Sequence, residues 1–499
     1  MRVAVVGAGL GGLSAAAALA RDGAEVVVLE AQGHPGGCAA TFPRQGYRFD
    51  AGATLASGFY AGGPMDLLAR AAGIERWPVR PCDPVMAVRL PDGSTVVRWA
   101  NERRRRERHE MFGRGAERFW QWQERTAEAV WDLALRRPSW PPRTGSEMVG
   151  LVRHGSAWFS GDLRNRLRPS LAADALRPLA HHLRGTSDRL RSFVDAQLLI
   201  SAQTTSRHAN ALCGAGALDF PRRGAAQVEG AIGAIAETLV HAIRRSGGEV
   251  HFSRQVAAVR LDHQGGARLQ DTRGDSLRAD VVLINAPPWT GRQLFGGDAP
   301  PRLRRMAPLP EQAWGAFMLY VGLDGDVTQP DAPLHQQVVV SEPLGNGNSA
   351  FLSLSPEWDS SRAPAGMRAL TVSAHTPLHY WWQAYERDRA GYEALKAAFT
   401  EKLLDAAEIV LPGLREAASL ILPGTPVTFQ RFTQRLLGWV GGFPQRSLLS
   451  SWSPRLAPGV WMVGDSIFPG QSIAAVTLGG LRVAEAVMRG QPARSRRWR

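Results

Sequence analysis

The sequence predicts an α/β fold, on three observations. Residues 1–30 pass from a short apolar run through a glycine-rich turn into a small-residue helix, then into a second β-branched run. Helix-then-strand alternation breaks off and resumes only at residue 227. A second strand–turn–helix stands near the C-terminus, in GVWMVGDSIFPGQSIAAVTLGGLRVAEAV. Together these describe a discontinuous Rossmann-type domain, with a sheet-based substrate domain and a helical, membrane-contacting insertion between its parts.

In the first unit, Val3 to Val6 is long enough for one buried parallel strand. Gly7, Gly9 and Gly12 follow as G-x-G-x-x-G. Gly7 turns the chain out of the strand, Gly9 admits a pyrophosphate close to the backbone, and Gly12 packs the helix on the strand. A helix over Leu13 to Arg21 ends at Asp22-Gly23, and Val26 to Val28 leads to Glu30. The helix N-terminus offers unpaired N–H groups to phosphates. Glu30 can accept from a ribose diol and would repel a 2′-phosphate, which disfavours NADP.

The 499 residues suffice for two or three domains. The formal charge is +14, but only Lys396 and Lys402 are lysines, so the basicity is an arginine skew and not a nucleic-acid site. Glu102, Glu107 and Glu110 interrupt Arg103 to Arg106, as on a solvated helix face. Cys38, Cys82 and Cys213 form no C-x-x-C, which fits a reducing cytoplasm. A strand beginning at residue 2 leaves no room for a signal peptide. No stretch approaches the ~18 apolar residues of a spanning helix.

Residues 31–63 are dense in glycine directly after Glu30, as backbone wrapped around a large cofactor would be. Within them Tyr47 to Asp50 reads as a strand. Met65 to Ala72 reads as a helix, and MAVRLPDGSTVVRWA as a hairpin turning at Pro91-Asp92-Gly93. Residues 101–200 read as helical, with Trp120, Trp122, Trp131, Trp140 and Trp158 serving as core or as an interfacial membrane contact. A helix over 227–246 precedes strands in EVHFSRQVAAVRLD, ARLQ and Asp280 to Asn285. Strand-like runs then cover Trp314 to Leu323, Gln336 to Val340, Ala350 to Leu354 and Arg368 to Ser373, followed by a helix from Arg389 to Glu408. Pro377 between His375 and His379 argues against a helical metal pair, and no metal site is expected.

The domain division follows. Residues 1–63, 221–300 and 455–490 form the cofactor domain, 64–100 and 301–454 the substrate domain, and 101–220 the helical insertion, while 491–499 are a disordered tail. In the C-terminal unit, Val460 to Val463 is a strand closed by Gly464-Asp465, and Ile473 to Val487 a helix after the turn at Pro469 to Ser472. Two helix N-termini from opposite ends of the chain suit one long ligand, and FAD fits that better than NAD.

GAGLGGLSAAAALARDGAEVVVLE, GGCAATFPRQGYRFDAGAT and VGDSIFPGQSIAAVTLGGLRVAE together resemble the FAD-dependent carotenoid desaturase and isomerase family, phytoene-desaturase-like flavoproteins. SFVDAQLLISAQTTSRHANAL, PGTPVTFQRFTQRLLGWVGGFPQ and the GDSxFPGQ form are similar to its carotenoid 3′,4′-desaturase branch. The resemblance implies that Gly7, Gly9, Gly12 and Gly37 hold the pyrophosphate region and that Glu30 holds the adenosine ribose. It implies that Val256 pairs through its backbone with adenine and that Asp465 binds the pyrophosphate or ribityl chain. Ser472, Ile473 and Ala474 would face the isoalloxazine. Many relatives carry G-G-R where this chain has Gly36-Gly37-Cys38, which makes Arg44 the candidate for the missing charge and Cys38 a small packed side chain.

The activity so implied is introduction of a C=C bond into a carotenoid by hydride transfer to flavin N5. The partners are the carotenoid, a peripheral membrane surface and an acceptor, oxygen or quinone. The location is the cytoplasm, at the inner face of the cell membrane. Cis–trans isomerisation on reduced FAD, a non-catalytic carotenoid carrier and, last, an amine oxidase are the alternatives. No catalytic side chain is identified.

Overall fold

The computed structural model describes residues 1–142, 145, 147–153, 170–262, 265–310, 313–328 and 332–490. Trp158 and the tail from 491 lie outside the described residues. A six-stranded sheet has the order Arg455–Ala457, Val460–Met462, Val281–Ile284, Arg2–Val6, Glu25–Leu29, Glu249–His251. Every neighbouring pair is parallel except the first, which is antiparallel. Strands from the start, middle and end of the chain thus share one sheet, and the Rossmann-type domain is discontinuous. The strands Arg2–Val6 and Glu25–Leu29 are apolar and buried behind an exposed first residue, as a sheet covered on both faces requires.

Glycines bring the two chain ends together. The helices Leu10–Arg21 and Ile473–Arg489 approach so closely that a Cβ on Gly480 would lie 2.6 Å from the Gly11 carbonyl oxygen. A Cβ on Gly11 would lie 2.8 Å from the backbone of Gly464. The first helix starts at Leu10, three residues before the expected Leu13, because Gly9 already caps it. The helix Pro64–Ala72 buries Met65 and Leu68 in the core of this sheet, so it packs away from the hairpin that follows it.

A seven-stranded sheet has the order Ala418–Gly424, Trp314–Asp324, Met367–Pro377, Ser349–Leu354, His335–Val339, Met86–Arg89, Thr95–Arg98. The hairpin expected around Pro91 supplies its last two strands. On one face the Phe317, Trp381 and Phe399 rings pack at 4.7–5.5 Å between centroids under the helix Arg389–Glu408.

The helices Arg103–Phe112, Glu117–Leu135, Asp188–Ala202 and Ala211–Leu218 form the insertion. Trp120 is buried there against Phe112, Phe119 and Phe193. Arg103, Arg105 and Arg106 face solvent, but Arg104 is buried and paired with Glu124 at 2.9 Å. The expected helix over 227–246 is shorter. Ala226–Val228 is a strand, the left-handed Gly230 and Ala231 turn the chain, and the helix runs Ala234–Arg245. His375 lies on a strand and His379 on the following helix. Among the described residues, no helix is long and apolar enough to cross a membrane.

Candidate cofactor and substrate site

A cavity of about 1160 Å³ runs from the C-terminal edge of the six-stranded sheet, across one face of the seven-stranded sheet, to the helical insertion. Its first half is built by the glycine-rich turn. Gly7 has φ +94°, a left-handed conformation that glycine adopts without strain. Its N–H donates to the Leu29 carbonyl at 2.8 Å, tying the turn to the second strand. Gly9 caps the helix without a side chain, so no side-chain oxygen covers its first N–H groups. A Cβ on Gly9 would meet Asn285 Nδ2 at 2.6 Å, which keeps this wall of the cavity bare backbone. Gly36, left-handed at φ +116°, donates to the Ala8 carbonyl at 2.8 Å and folds the next loop over the turn. Gly37 lines the cavity there, against Gly9.

Glu30 is buried at the cavity wall. Its carboxylate accepts from the N–H of Ala8 at 2.6 Å and of Gln32 at 2.8 Å. Burial raises its pKa, and these two donors only partly oppose the shift. Val256 opens the strand Val256–Leu261 and lines the same end. From the other end of the chain come Asp465, Ser472 and Ile473, all lining the cavity. Ser472 holds φ +99°, unusual for a side chain with a Cβ, and its hydroxyl accepts from the Ala475 N–H at 3.2 Å to cap the last helix.

Three expected residues lie elsewhere. Arg44 ends the strand Thr41–Arg44, exposed to solvent and outside the cavity. Gly12 is buried under the turn, where a Cβ would lie 2.8 Å from the Gly7 carbonyl oxygen, so it serves helix–strand packing and not the cavity wall. Ala474 points away, its Cβ 3.1 Å from where one on Gly58 would stand, because a helix turns its successive residues about 100° apart. Ala475 and Val476 line the cavity instead.

The guanidinium at this end is Arg435, which lines the cavity and donates to Asp465 at 2.8 Å and to the Trp439 carbonyl at 2.6 Å. Burial works against its charge, but Asp465 and Cys38 nearby turn the net shift upward. Arg435 therefore stands beside Cys38, where the sequence pattern lacks an arginine. The Cys38 thiol is itself raised by burial, with Arg435 opposing, so it stays protonated at neutral pH. Local sequence could not single out Arg435, which follows a short helix far along the chain.

The bare glycine backbone, the exposed helix N-terminus and the carboxylate at the strand end fit a dinucleotide in extended form. A family model described as flavin containing amine oxidoreductase matches residues 10–488. The chain belongs to this family. Flavin-containing amine oxidoreductases are FAD-dependent oxidoreductases, and FAD is the cofactor of this chain.

Relatives within reach are distant. The chain is 28% identical to the chloroplastic prolycopene isomerase of Arabidopsis thaliana, over 97% of this chain and 82% of that protein. It is 26% identical to a neurosporene-forming phytoene desaturase of Cereibacter sphaeroides, over 95% of this chain and 92% of that one. In fold it is similar to a putrescine oxidase bound to putrescine, with TM-score 0.62, 15% identity, and 98% and 99% of the two chains covered.

The second half of the cavity is mainly apolar. Met318, Ser373 and Phe351 form its floor on three successive strands of the seven-stranded sheet, and Met86 extends it beyond the intervening strand His335–Val339. Val130, Trp131, Ile200 and Ala217 form the roof from three insertion helices. Sequence reading left these tryptophan-bearing helices open between core and membrane contact, and Trp131 is a cavity wall. His375 is half-buried at the floor, and desolvation pulls it down to about 4, so its imidazole is neutral at neutral pH.

Proposed function

We propose that this flavoenzyme acts on carotenoids as a desaturase, introducing a C=C bond at the 3′,4′ position of an end group. The observation that carries the proposal is the continuity of one cavity, from a dinucleotide cradle into a long, mainly apolar chamber. An extended hydrocarbon suits that chamber because its walls offer few hydrogen-bond partners to a polar substrate. The similarity to a phytoene desaturase supports the same substrate class.

FAD, when bound, supplies the acceptor for a hydride from an unactivated carbon. The chain's own residues would do the rest. Gly7, Gly9 and Gly37 would admit the pyrophosphate to the backbone, and Glu30 would hold the ribose. Asp465, fixed by Arg435, would hold the middle of the cofactor, while Ser472 and Ile473 would face its ring. Met318, Phe351 and Trp131 would orient the polyene and exclude water. The neutral imidazole of His375 is the group we assign to accept the proton lost from the neighbouring carbon. Burial pushes the Cys213 thiol, also on the chamber wall, up to about 12, so it stays protonated.

Similarity to prolycopene isomerases favours a second reading, cis–trans isomerisation in the same chamber. Purified enzyme incubated with carotenoid in liposomes separates the two. Desaturation removes two hydrogens per new bond, shifts absorption to the red and consumes oxygen or quinone. Isomerisation leaves the mass unchanged. Absence of both products with every carotenoid offered rejects the substrate class.

The proposal extends to a cytoplasmic protein resting on the inner face of the cell membrane. Phe432, at the cavity wall, is 53% exposed, and Leu449, next to cavity-lining Leu448, is 69% exposed. Such side chains suit an apolar entry for a membrane-dissolved substrate. Co-sedimentation with anionic vesicles, lost in Phe432→Ser with Leu449→Ser, tests it.

A further inference from the structure

Arg98 is a buried cation facing an apolar chamber, and no carboxylate partners it among the described residues. It ends the edge strand Thr95–Arg98, is 8% exposed, and lines the cavity. It donates to the side-chain oxygen of Gln197 and, at 2.5 Å, to the Leu218 carbonyl. Both acceptors are neutral. Burial, reinforced by the charge of Arg108 and opposed in smaller measure by the unbonded Asp219, lowers its pKa to about 9, so it remains charged at neutral pH.

The carboxylates nearby are already taken. Glu124 bridges Arg104 at 2.9 Å, Arg108 at 2.6 Å and Arg222 at 3.4 Å. Asp219 holds Arg222 at 2.7 Å and Arg223 at 2.6 Å. Four arginines thus share the carboxylates of Glu124 and Asp219, and Arg98, paired with neither, is turned to the cavity. Removing a cation from water without an anion is costly, and a purely structural role would be met by an uncharged side chain.

Its place in the sheet supplies a second argument. Arg98 lies opposite cavity-lining Met86, on the edge strand furthest from Ala418–Gly424. Six strand spacings of about 4.8 Å separate these edges, roughly 29 Å. Leu422 and Gly424 line the cavity at the other edge. A long ligand crossing the floor would bring one end to Arg98. Gln197 is oriented for this, since its amide nitrogen donates to Gln337, leaving its oxygen on Arg98.

We propose that Arg98 recognises an anionic end group, and that the preferred substrate is a polyene ending in a carboxylate. This rests on the reading of the chamber as a polyene site. A carboxylate would accept charge-assisted hydrogen bonds from the guanidinium and supply the missing counter-charge.

The test uses the FAD-loaded enzyme and two probes, norbixin, a linear polyene with free carboxylates, and its dimethyl ester, with binding read by tryptophan quenching. The free acid is expected to bind about tenfold tighter or more. Arg98→Met should abolish the difference with flavin content unchanged. Arg98→Gln, which keeps an amide donor for the Leu218 carbonyl, should do the same and serves if the methionine variant does not fold. Equal binding of acid and ester by the unaltered enzyme overturns the proposal, as does discrimination that survives both substitutions. Tight binding of lycopene and of the ester, without preference for the acid, would overturn this inference while leaving the carotenoid reading standing. Failure of lycopene and both probes to bind would reject both.

Discussion

Arg435 and Asp465 meet at 2.8 Å on the cavity wall, joining the segment after the helix Pro426–Thr433 to the turn before the last helix. Both side chains are largely buried, and Arg435 stands beside Cys38 from the first glycine loop. Three distant segments are thereby tied around the place where the middle of the cofactor is proposed to lie.

Arg435→Met should leave Asp465 buried without its cation. A loss of about 2–3 kcal/mol in stability is expected, together with weaker flavin retention. Urea denaturation and the flavin-to-protein absorbance ratio check it. An unchanged midpoint with full flavin would show that the pair does not organise the site.

Gly480→Val should force apart two helices whose backbones touch. The new Cβ would stand 2.6 Å from the Gly11 carbonyl oxygen, which cannot rotate away. A loss of about 1–3 kcal/mol is expected, since overpacking of this kind strains backbone. Because Gly11 lies in the first turn of the helix whose N-terminus forms the proposed phosphate site, flavin content should fall with it, as measured on the purified variant.

Glu30→Gln should weaken flavin affinity by about tenfold, as loss of a charged acceptor does. The apoprotein should respond in the opposite sense. The folded-state pKa of Glu30 lies above its ordinary 4.5, so the native state holds the proton more tightly than the unfolded chain. Stability linked to that proton is full below 4.5 and is lost as pH rises through the raised value. Urea midpoints of apoprotein across that window should fall in the parent and stay flatter in the variant.

His335 should make the enzyme acid-labile. It is buried, hydrogen-bonded to Gln227 at 2.7 Å and Ser353 at 2.9 Å, and its pKa is lowered from 6.5 to about 3 by burial. The unfolded chain binds the proton first, so stability is full above 6.5 and declines as pH falls toward 3. Thermal unfolding over this range should show the decline, and His335→Gln should reduce its slope.

What was legible in the sequence is local. A strand, a glycine turn and a helix are each decided by neighbouring residues, because φ freedom, caps and apolar periodicity act over a few positions. For that reason the segment from Val3 to Glu30 and the unit after Val460 could be read without coordinates, and the helix Arg389–Glu408 was placed to the residue. Arg44 misled because it was chosen for nearness in sequence to Cys38, and its strand turns it to solvent.

The sequence by itself determined two strand–turn–helix units at opposite ends of the chain, each with a glycine turn leading into a helix N-terminus. Only the tertiary structure decided which charges meet there. Arg435 reaches Cys38 and Asp465, and Arg98 reaches the far end of the chamber, through strand order and helix packing across hundreds of residues. Such pairings depend on where whole elements dock, and burial in that packed interior then sets how strongly each charge is felt.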